Sequence, residues 1–144
     1  MKKQEISLVA KAADAPTCLL PQMLSSVQAG FSSAADEHIE HFLDLNELVV
    51  KQQAATFFVR VQGDSMRDEQ IRSGDILSVD RSLKPCSGKI VIAIINGEFT
   101  VKKLYIDATG IYLEPANPRY TRQKIDPEAD FRIWGVVTYV IGAR

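Results

Sequence analysis

This chain has only two histidines, and their positions exclude the common serine hydrolases. The two histidines, His38 and His41, both precede Ser65, the serine of a Gly-Asp-Ser-Met run at residues 63–66. An esterase with a Gly-Asp-Ser nucleophile needs a later histidine, so that class is excluded. The order of residues in chymotrypsin-like proteases, with the histidine before the serine, is compatible with this chain. However, 144 residues are too few to form the double β-barrel of those proteases.

Cysteine is equally rare, and long charged or apolar runs are missing. Cys18 and Cys86 lack Cys-x-x-Cys spacing and a nearby histidine, which indicates free thiols in a reducing compartment and no zinc site. The formal net charge of −1 gives no reason to expect a non-specific phosphate-binding surface. The longest apolar stretch, Ile90–Ile95, is too short to span a bilayer, and charges interrupt the N-terminal segment. We therefore expect a cytoplasmic protein without membrane contact, metal or cofactor.

The character of the chain changes near residue 45. Residues 1–44 are rich in Ala, Ser and Pro and weakly patterned, as in an extended, flexible arm, whereas residues 45–144 can form one domain. Within the arm, Ile39, Phe42 and Leu43 fall at i, i+3 and i+4, which predicts a short helix over residues 34–45.

After Leu48 the pattern favours β-strands. Asn96-Gly97 is the strongest local signal, because a type I′ hairpin turn needs positive φ at both central residues. The chain is therefore predicted to be mainly β, with partly closed, barrel-like sheets. The predicted strands are 56–61, 75–80, 89–95, 98–105, 111–113 and 131–141.

Ser65 and a lysine of the 98–105 strand are the candidates for chemistry. A serine hydroxyl needs a neighbouring base, and with no later histidine the base can be a neutral lysine, a form favoured by burial among apolar side chains. Lys102 and Lys103 lie on opposite faces of the strand, and periodicity alone does not choose between them. Taken alone, Ser65 is most simply a turn residue and either lysine a solvated surface residue.

Several motifs, in order from Gly30 to the C-terminus, resemble those of one known family. They are residues 30–36, 43–46, 63–66, 74–77, 97–104 and 134–137. On these residues the chain resembles the UmuD-like branch of the LexA/UmuD self-cleaving family, peptidase family S24. The resemblance implies the fold of the LexA C-terminal domain and a serine peptidase that acts on its own chain.

The resemblance also implies roles for individual residues. Ser65 would be the nucleophile, Lys102 rather than Lys103 the general base, and Ala29–Gly30 the bond that is cut. The remaining residues of the serine motif would support the turn, whose backbone N–H groups can stabilise an oxyanion. These residues are Gly63, Asp64 and Met66.

The function implied by the resemblance is that of a processed subunit in SOS mutagenesis. A RecA–single-stranded DNA filament would stimulate the cut, and residues 30–144 would act as a homodimer with a UmuC-like, error-prone Y-family translesion polymerase. Only 29 residues precede Gly30, too few for the winged helix of a repressor, so sequence-specific DNA binding is not expected. Two alternatives stay open: a non-cleaving dimeric module that regulates a polymerase, and a repressor fragment lacking its DNA-binding domain.

Overall fold

The computed structural model describes residues 6–12, 18–23 and 39–144, and in this part the chain is mainly β. One short helix, α1 (Leu45–Val49), and two 3₁₀ turns, Gln53–Ala55 and Arg67–Glu69, interrupt the strands. No helix among these residues is long and apolar enough to cross a membrane. The strands are β1 (Ile6–Lys11), β2 (Leu19–Met23), β3 (Ile39–Asp44), β4 (Thr56–Val61), β5 (Ile76–Asp80), β6 (Ile90–Ile95), β7 (Glu98–Asp107), β8 (Gly110–Glu114), β9 (Gln123–Lys124) and β10 (Phe131–Ile141).

Eight of these strands form one large antiparallel sheet in the order β1-β4-β5-β10-β6-β7-β8-β9. The remaining two, β2 and β3, pair with each other. The prediction of a mainly β chain is confirmed. The large sheet is open rather than closed, because its described edge strands, β1 and β9, do not pair with each other.

The core lies on both faces of the central strands. In β6, Ile92 points into one cluster, whereas Val91 and Ala93 point into the other, as the two-residue repeat of a strand requires. Because both faces are covered, β6 and β7 form a rigid support for the residues they carry. The first cluster contains Ile6, Val59, Val61, Met66, Ile71, Leu77, Val79, Ile92 and Val101, and the second contains Val91, Ala93, Leu104, Leu113, Ile125 and Val136.

The hairpin predicted from Asn96-Gly97 is present. Asn96 has φ 49° and Gly97 has φ 82°, so both central residues adopt the positive φ that a type I′ turn requires. The turn fixes the register of β6 against β7, in which Val91 lies opposite Lys102 and Ile90 opposite Lys103. A two-residue turn thereby determines where both lysines sit in the sheet.

The helix predicted within residues 34–45 is wrong for residues 39–44. Those residues form β3, which pairs with β2, so non-local strand pairing overrides the local helical spacing. Asp44 ends the strand and then caps α1, its carboxylate accepting a hydrogen bond from the N–H of Asn46 at 2.9 Å. The division into an arm (1–44) and a domain (45–144) stays a prediction, and β1 from the first segment joins the large sheet.

Candidate active site

Ser65 lies on a tight turn that leaves the end of β4. Gly63 has φ +99°, a conformation that L side chains rarely adopt, and this explains the glycine at the entry to the turn. Met66 follows Ser65 and is buried in the first core cluster. Burial of this large apolar side chain holds the turn against the sheet, and Ser65 itself is only 3% exposed.

A second segment, residues 115–120 after β8, holds the backbone of the turn. The N–H of Ala116 donates to the carbonyl of Ser65 at 2.7 Å, and the N–H of Asp68 donates to the carbonyl of Ala116 at 2.7 Å. Ala116 also packs against the first core cluster. The backbone N–H and C=O of Ala116 therefore both bond to the turn, which limits the movement of Ser65.

Two side chains of the same segment hold Asp64. The buried amide of Asn117 donates to the Asp64 carbonyl at 2.9 Å and accepts from the N–H of Arg119 at 3.0 Å. The Tyr120 hydroxyl donates to Asp64 Oδ1 at 2.7 Å. This hydrogen bond is the main reason that the pKa of Asp64 lies below its usual value, because it favours the ionised carboxylate.

Lys102 on β7 reaches Ser65 with its amine. Its Nζ is 2.9 Å from Ser65 Oγ, 2.8 Å from Thr100 Oγ1 and 3.1 Å from the carbonyl oxygen of Val101. Thr100 lies two residues earlier on the same strand face, which is why its hydroxyl can meet the same amine. The structure thus joins the two residues singled out for chemistry, although they are 37 positions apart in the chain.

Lys103 has a different partner. Its Nζ lies 2.8 Å from Glu69 Oε1 in an ion pair, and the hydrogen bond to this carboxylate, together with its charge, raises the pKa of Lys103. The adjacent lysines therefore differ in their surroundings, one beside a serine hydroxyl and the other beside a carboxylate. The geometry agrees with the choice of Lys102, while its role as a base stays a prediction.

Other predicted and unpredicted residues complete the picture. Ala29 and Gly30 lie outside the described residues, so the predicted cleavage site stays a prediction. The motif residues Gly63, Asp64 and Met66 all belong to the turn, and their support of an oxyanion likewise stays a prediction. Thr100, Asn117 and Tyr120 were not predicted. Strand periodicity could have indicated Thr100, but nothing local links the 115–120 segment to the turn.

Comparisons with known proteins bear on the family of this chain. A family model described as "Peptidase S24-like" matches residues 21–138. Protein SamA of Salmonella typhimurium is 46% identical over 121 residues, which cover 84% of this chain and 84% of that protein. Protein MucA of Escherichia coli is 43% identical over 121 residues, covering 83% of this chain and 82% of that protein.

A repressor is also similar to this chain. The LexA repressor of Xylella fastidiosa is 39% identical over 132 residues, which cover 92% of this chain but only 62% of the repressor. The residues matched by the family model include the turn of Ser65 and the strand of Lys102. With its mainly β, LexA-like fold, the chain belongs to the Peptidase S24-like family, among the UmuD-like proteins of the SOS response.

Proposed function

We propose that this protein is a serine peptidase that cuts its own chain between Ala29 and Gly30, with Ser65 as nucleophile and Lys102 as general base. The observation that carries the proposal is the 2.9 Å hydrogen bond between Lys102 Nζ and the buried Ser65 Oγ. A nucleophile and a base within hydrogen-bond distance are the minimum that covalent catalysis by serine requires.

The three oxygens around Lys102 support a role in proton transfer. A lysine ammonium has three donors, and Ser65, Thr100 and Val101 supply three acceptors. A neutral amine has two donors and one lone pair. It can keep its bonds to Thr100 and Val101 and turn the lone pair toward the hydroxyl of Ser65, so the same contacts orient it in both protonation states.

In the first step Ser65 Oγ bonds to the carbonyl carbon of Ala29 while its proton moves to Lys102 Nζ. The backbone N–H groups at Ser65 and Met66 stabilise the negative oxygen of the tetrahedral intermediate. Lys102 then returns the proton to the nitrogen of Gly30 as the C–N bond breaks, leaving Ala29 as an ester on Ser65. Water hydrolyses this ester with Lys102 again as base, which restores the serine.

Attachment of the substrate to the enzyme favours this reaction. A tethered peptide bond gains a large effective concentration, on the order of 10⁵ M or more when it is well oriented, so a modest catalyst suffices. Ala29 and Gly30 are small, and an extended backbone with small side chains can approach a buried serine closely.

The cellular role that we propose follows from the family. In the cytoplasm, a RecA–single-stranded DNA filament stimulates the cut, and the processed chain, residues 30–144, forms a homodimer. The dimer serves as an accessory subunit of a UmuC-like, error-prone Y-family polymerase. Similarity to SamA and MucA over more than four-fifths of this chain supports this role, with 84% and 83% of the chain covered.

Intact mass spectrometry of the purified chain tests the chemistry. At alkaline pH, and separately with RecA, nucleotide and single-stranded DNA, the chain should yield residues 1–29 and 30–144. Ser65→Ala should abolish the cut, and Lys102→Ala should slow it by about 10²-fold to 10⁴-fold. Lys103→Ala is the matched control and should cleave near the normal rate.

The outcomes separate the alternatives. Equal behaviour of the normal chain and Ser65→Ala in both conditions would rule out the peptidase. Loss of cleavage in Lys103→Ala but not in Lys102→Ala would show that the base is Lys103 and that the proposed assignment to Lys102 is wrong. Co-purification with a Y-family polymerase tests the accessory role independently, and binding without any cleavage would indicate a non-cleaving regulatory module.

A further inference from the structure

The edge strand β1 precedes the proposed cleavage site in sequence but belongs to the large sheet in space. Residues 6–11 pair antiparallel with β4, from Ile6 opposite Val61 to Lys11 opposite Phe57. Just beyond the strand, the N–H of Ala12 donates to the carbonyl of Thr56 at 2.9 Å. The pairing therefore runs along the full length of β4, with a bulge between Leu8 and Ala10.

One side chain of β1 is anchored in the core. Ile6 is 3% exposed and belongs to the first core cluster together with Val59 and Val61 of β4. Leu8, two residues later, is 61% exposed. Lys11 adds an exposed contact at the other end, with its Nζ 5.7 Å from the ring centre of Phe57. The strand is thus held by its backbone pairing and, among its side chains, chiefly by the buried Ile6.

We propose that the edge of β4 is a strand-binding site that keeps residues 1–29 attached after the chain is cut between Ala29 and Gly30. The inference rests on the proposed function for the position of the cut, and on the β1–β4 pairing for the rest. Hydrolysis removes the covalent link between β1 and the sheet but none of the contacts that hold β1. Cleavage and release are consequently two separate steps.

The second step depends on concentration, unlike the first. In the intact chain the tether holds β1 near β4 at an effective concentration on the order of 1 mM. After the cut, the fragment is an ordinary ligand that dissociates on dilution. Its departure makes β4 the sheet edge, with unpaired N–H and C=O groups and a vacant place for Ile6. Such an edge accepts an extended strand that carries a branched apolar residue at the position of Ile6. We assign this site to the chain's own residues 6–12.

The test uses the full chain with the recognition sequence of a specific protease inserted between Ala29 and Gly30 and Ser65→Ala to prevent self-cleavage. After complete nicking, confirmed by denaturing mass spectrometry, native mass spectrometry follows the bound fragment through a dilution series. We expect the fragment to be retained at high concentration and lost on dilution. An excess of isotope-labelled peptide with the sequence of residues 1–29, which contains β2 as well as β1, should replace it.

Ile6→Ala and Leu8→Ala form the matched pair. Both remove an aliphatic side chain from the same strand, but only Ile6 is buried, so Ile6→Ala should raise the concentration of half-dissociation by about tenfold or more. Leu8→Ala should change it by less than about threefold. Equal shifts for the two variants, or complete loss of the fragment at the highest concentration, would overturn the proposal.

The unmodified chain, compared with the nicked chain, distinguishes this proposal from the proposed function. Retention alone does not identify the β4 edge, because β2 of the same fragment pairs with β3 of the retained part. If the unmodified chain never cuts itself, but the nicked chain retains its fragment and Ile6→Ala weakens that retention while Leu8→Ala does not, the peptidase is wrong and the strand-binding site stands. If the unmodified chain cuts itself and its fragment separates at every concentration, the peptidase stands and the strand-binding site is wrong.

Discussion

Replacing Asn117 with alanine tests whether the 115–120 segment positions Ser65, the proposed nucleophile. The Asn117 side chain is 4% exposed and links two backbone groups, the carbonyl of Asp64 and the N–H of Arg119. Its removal leaves both groups without this partner, and both belong to exposed residues, so water can replace the lost contacts in part. A typical hydrogen bond contributes about 0.5–1.5 kcal/mol net, so the loss of these two should lower the free energy of unfolding by about 1–2 kcal/mol.

The same change should slow self-cleavage by more than the loss of stability explains. A domain of this kind is stable by about 5–15 kcal/mol, so Asn117→Ala remains folded at room temperature. Asp64 directly precedes Ser65, and a displacement of the nucleophile by about 1 Å costs on the order of 10²-fold in rate. We therefore expect cleavage by Asn117→Ala to be about 10-fold to 100-fold slower under conditions where both chains are folded.

Two measurements on the same samples separate stability from positioning. Urea unfolding can be followed by the fluorescence of Trp134, the single tryptophan of the chain. Cleavage at alkaline pH is followed by intact mass. Asn117→Asp is the companion variant, because a carboxylate keeps the acceptor for the N–H of Arg119 and loses the donor to the carbonyl of Asp64. If both variants are destabilised yet cleave at the normal rate, the amide of Asn117 does not position Ser65.

Three further predictions concern the turn, the core and an ion pair. Gly63→Ala forces a side chain into φ +99°, and we expect a loss of about 1–2 kcal/mol in urea unfolding and slower cleavage; unchanged stability would mean that the turn relaxes. Gly135→Ala places a Cβ 2.5 Å from Val79 Cγ1, which should destabilise the chain by about 1–3 kcal/mol and lower the melting temperature. An unchanged melting temperature would show that β5 and β10 can separate. The pKa of Lys103 is raised, so its contribution to stability is fully present below the unfolded pKa of 10.5 and is lost as the pH rises through the higher folded value. Glu69→Gln should therefore lower stability at neutral pH, and this difference should shrink above pH 10.5 in unfolding curves; a difference independent of pH would contradict it.

The sequence predicted the features that depend on local pattern. The runs 56–61, 89–95 and 131–141 have strand residues along their length, and each is a strand in the structure, β4, β6 and β10. Asn96-Gly97 predicted its hairpin because positive φ is a property of those two residues. Since this turn fixes the register of β7, the local signal also determines which sheet neighbours the two lysines have.

The sequence could not predict features that arise from contacts between distant segments. Residues 39–44 have the spacing of a helix, but pairing with β2 makes them a strand. The pairing of β1 with β4 joins segments about 50 positions apart, as Ile6 and Val61 illustrate, and no local pattern encodes it. The contacts between the 115–120 segment and the turn of Ser65 could not be predicted for the same reason. Both segments are loops, and their composition predicts only that each forms a turn.

Retention of β1 and the geometry of the Ser65 turn depend on one core. Ile6 and Met66 belong to the same cluster, and Met66 is the residue that anchors the turn beside Ser65. While β1 stays in place after a cut, this cluster is complete and the turn keeps its support. When β1 leaves, the cluster loses a buried side chain and packing around Met66 loosens, since interiors are close-packed and a vacancy is felt by its neighbours. Release of the strand would then both open the edge of β4 and weaken the turn of Ser65, which suits the proposed peptidase, whose single substrate has already been cut.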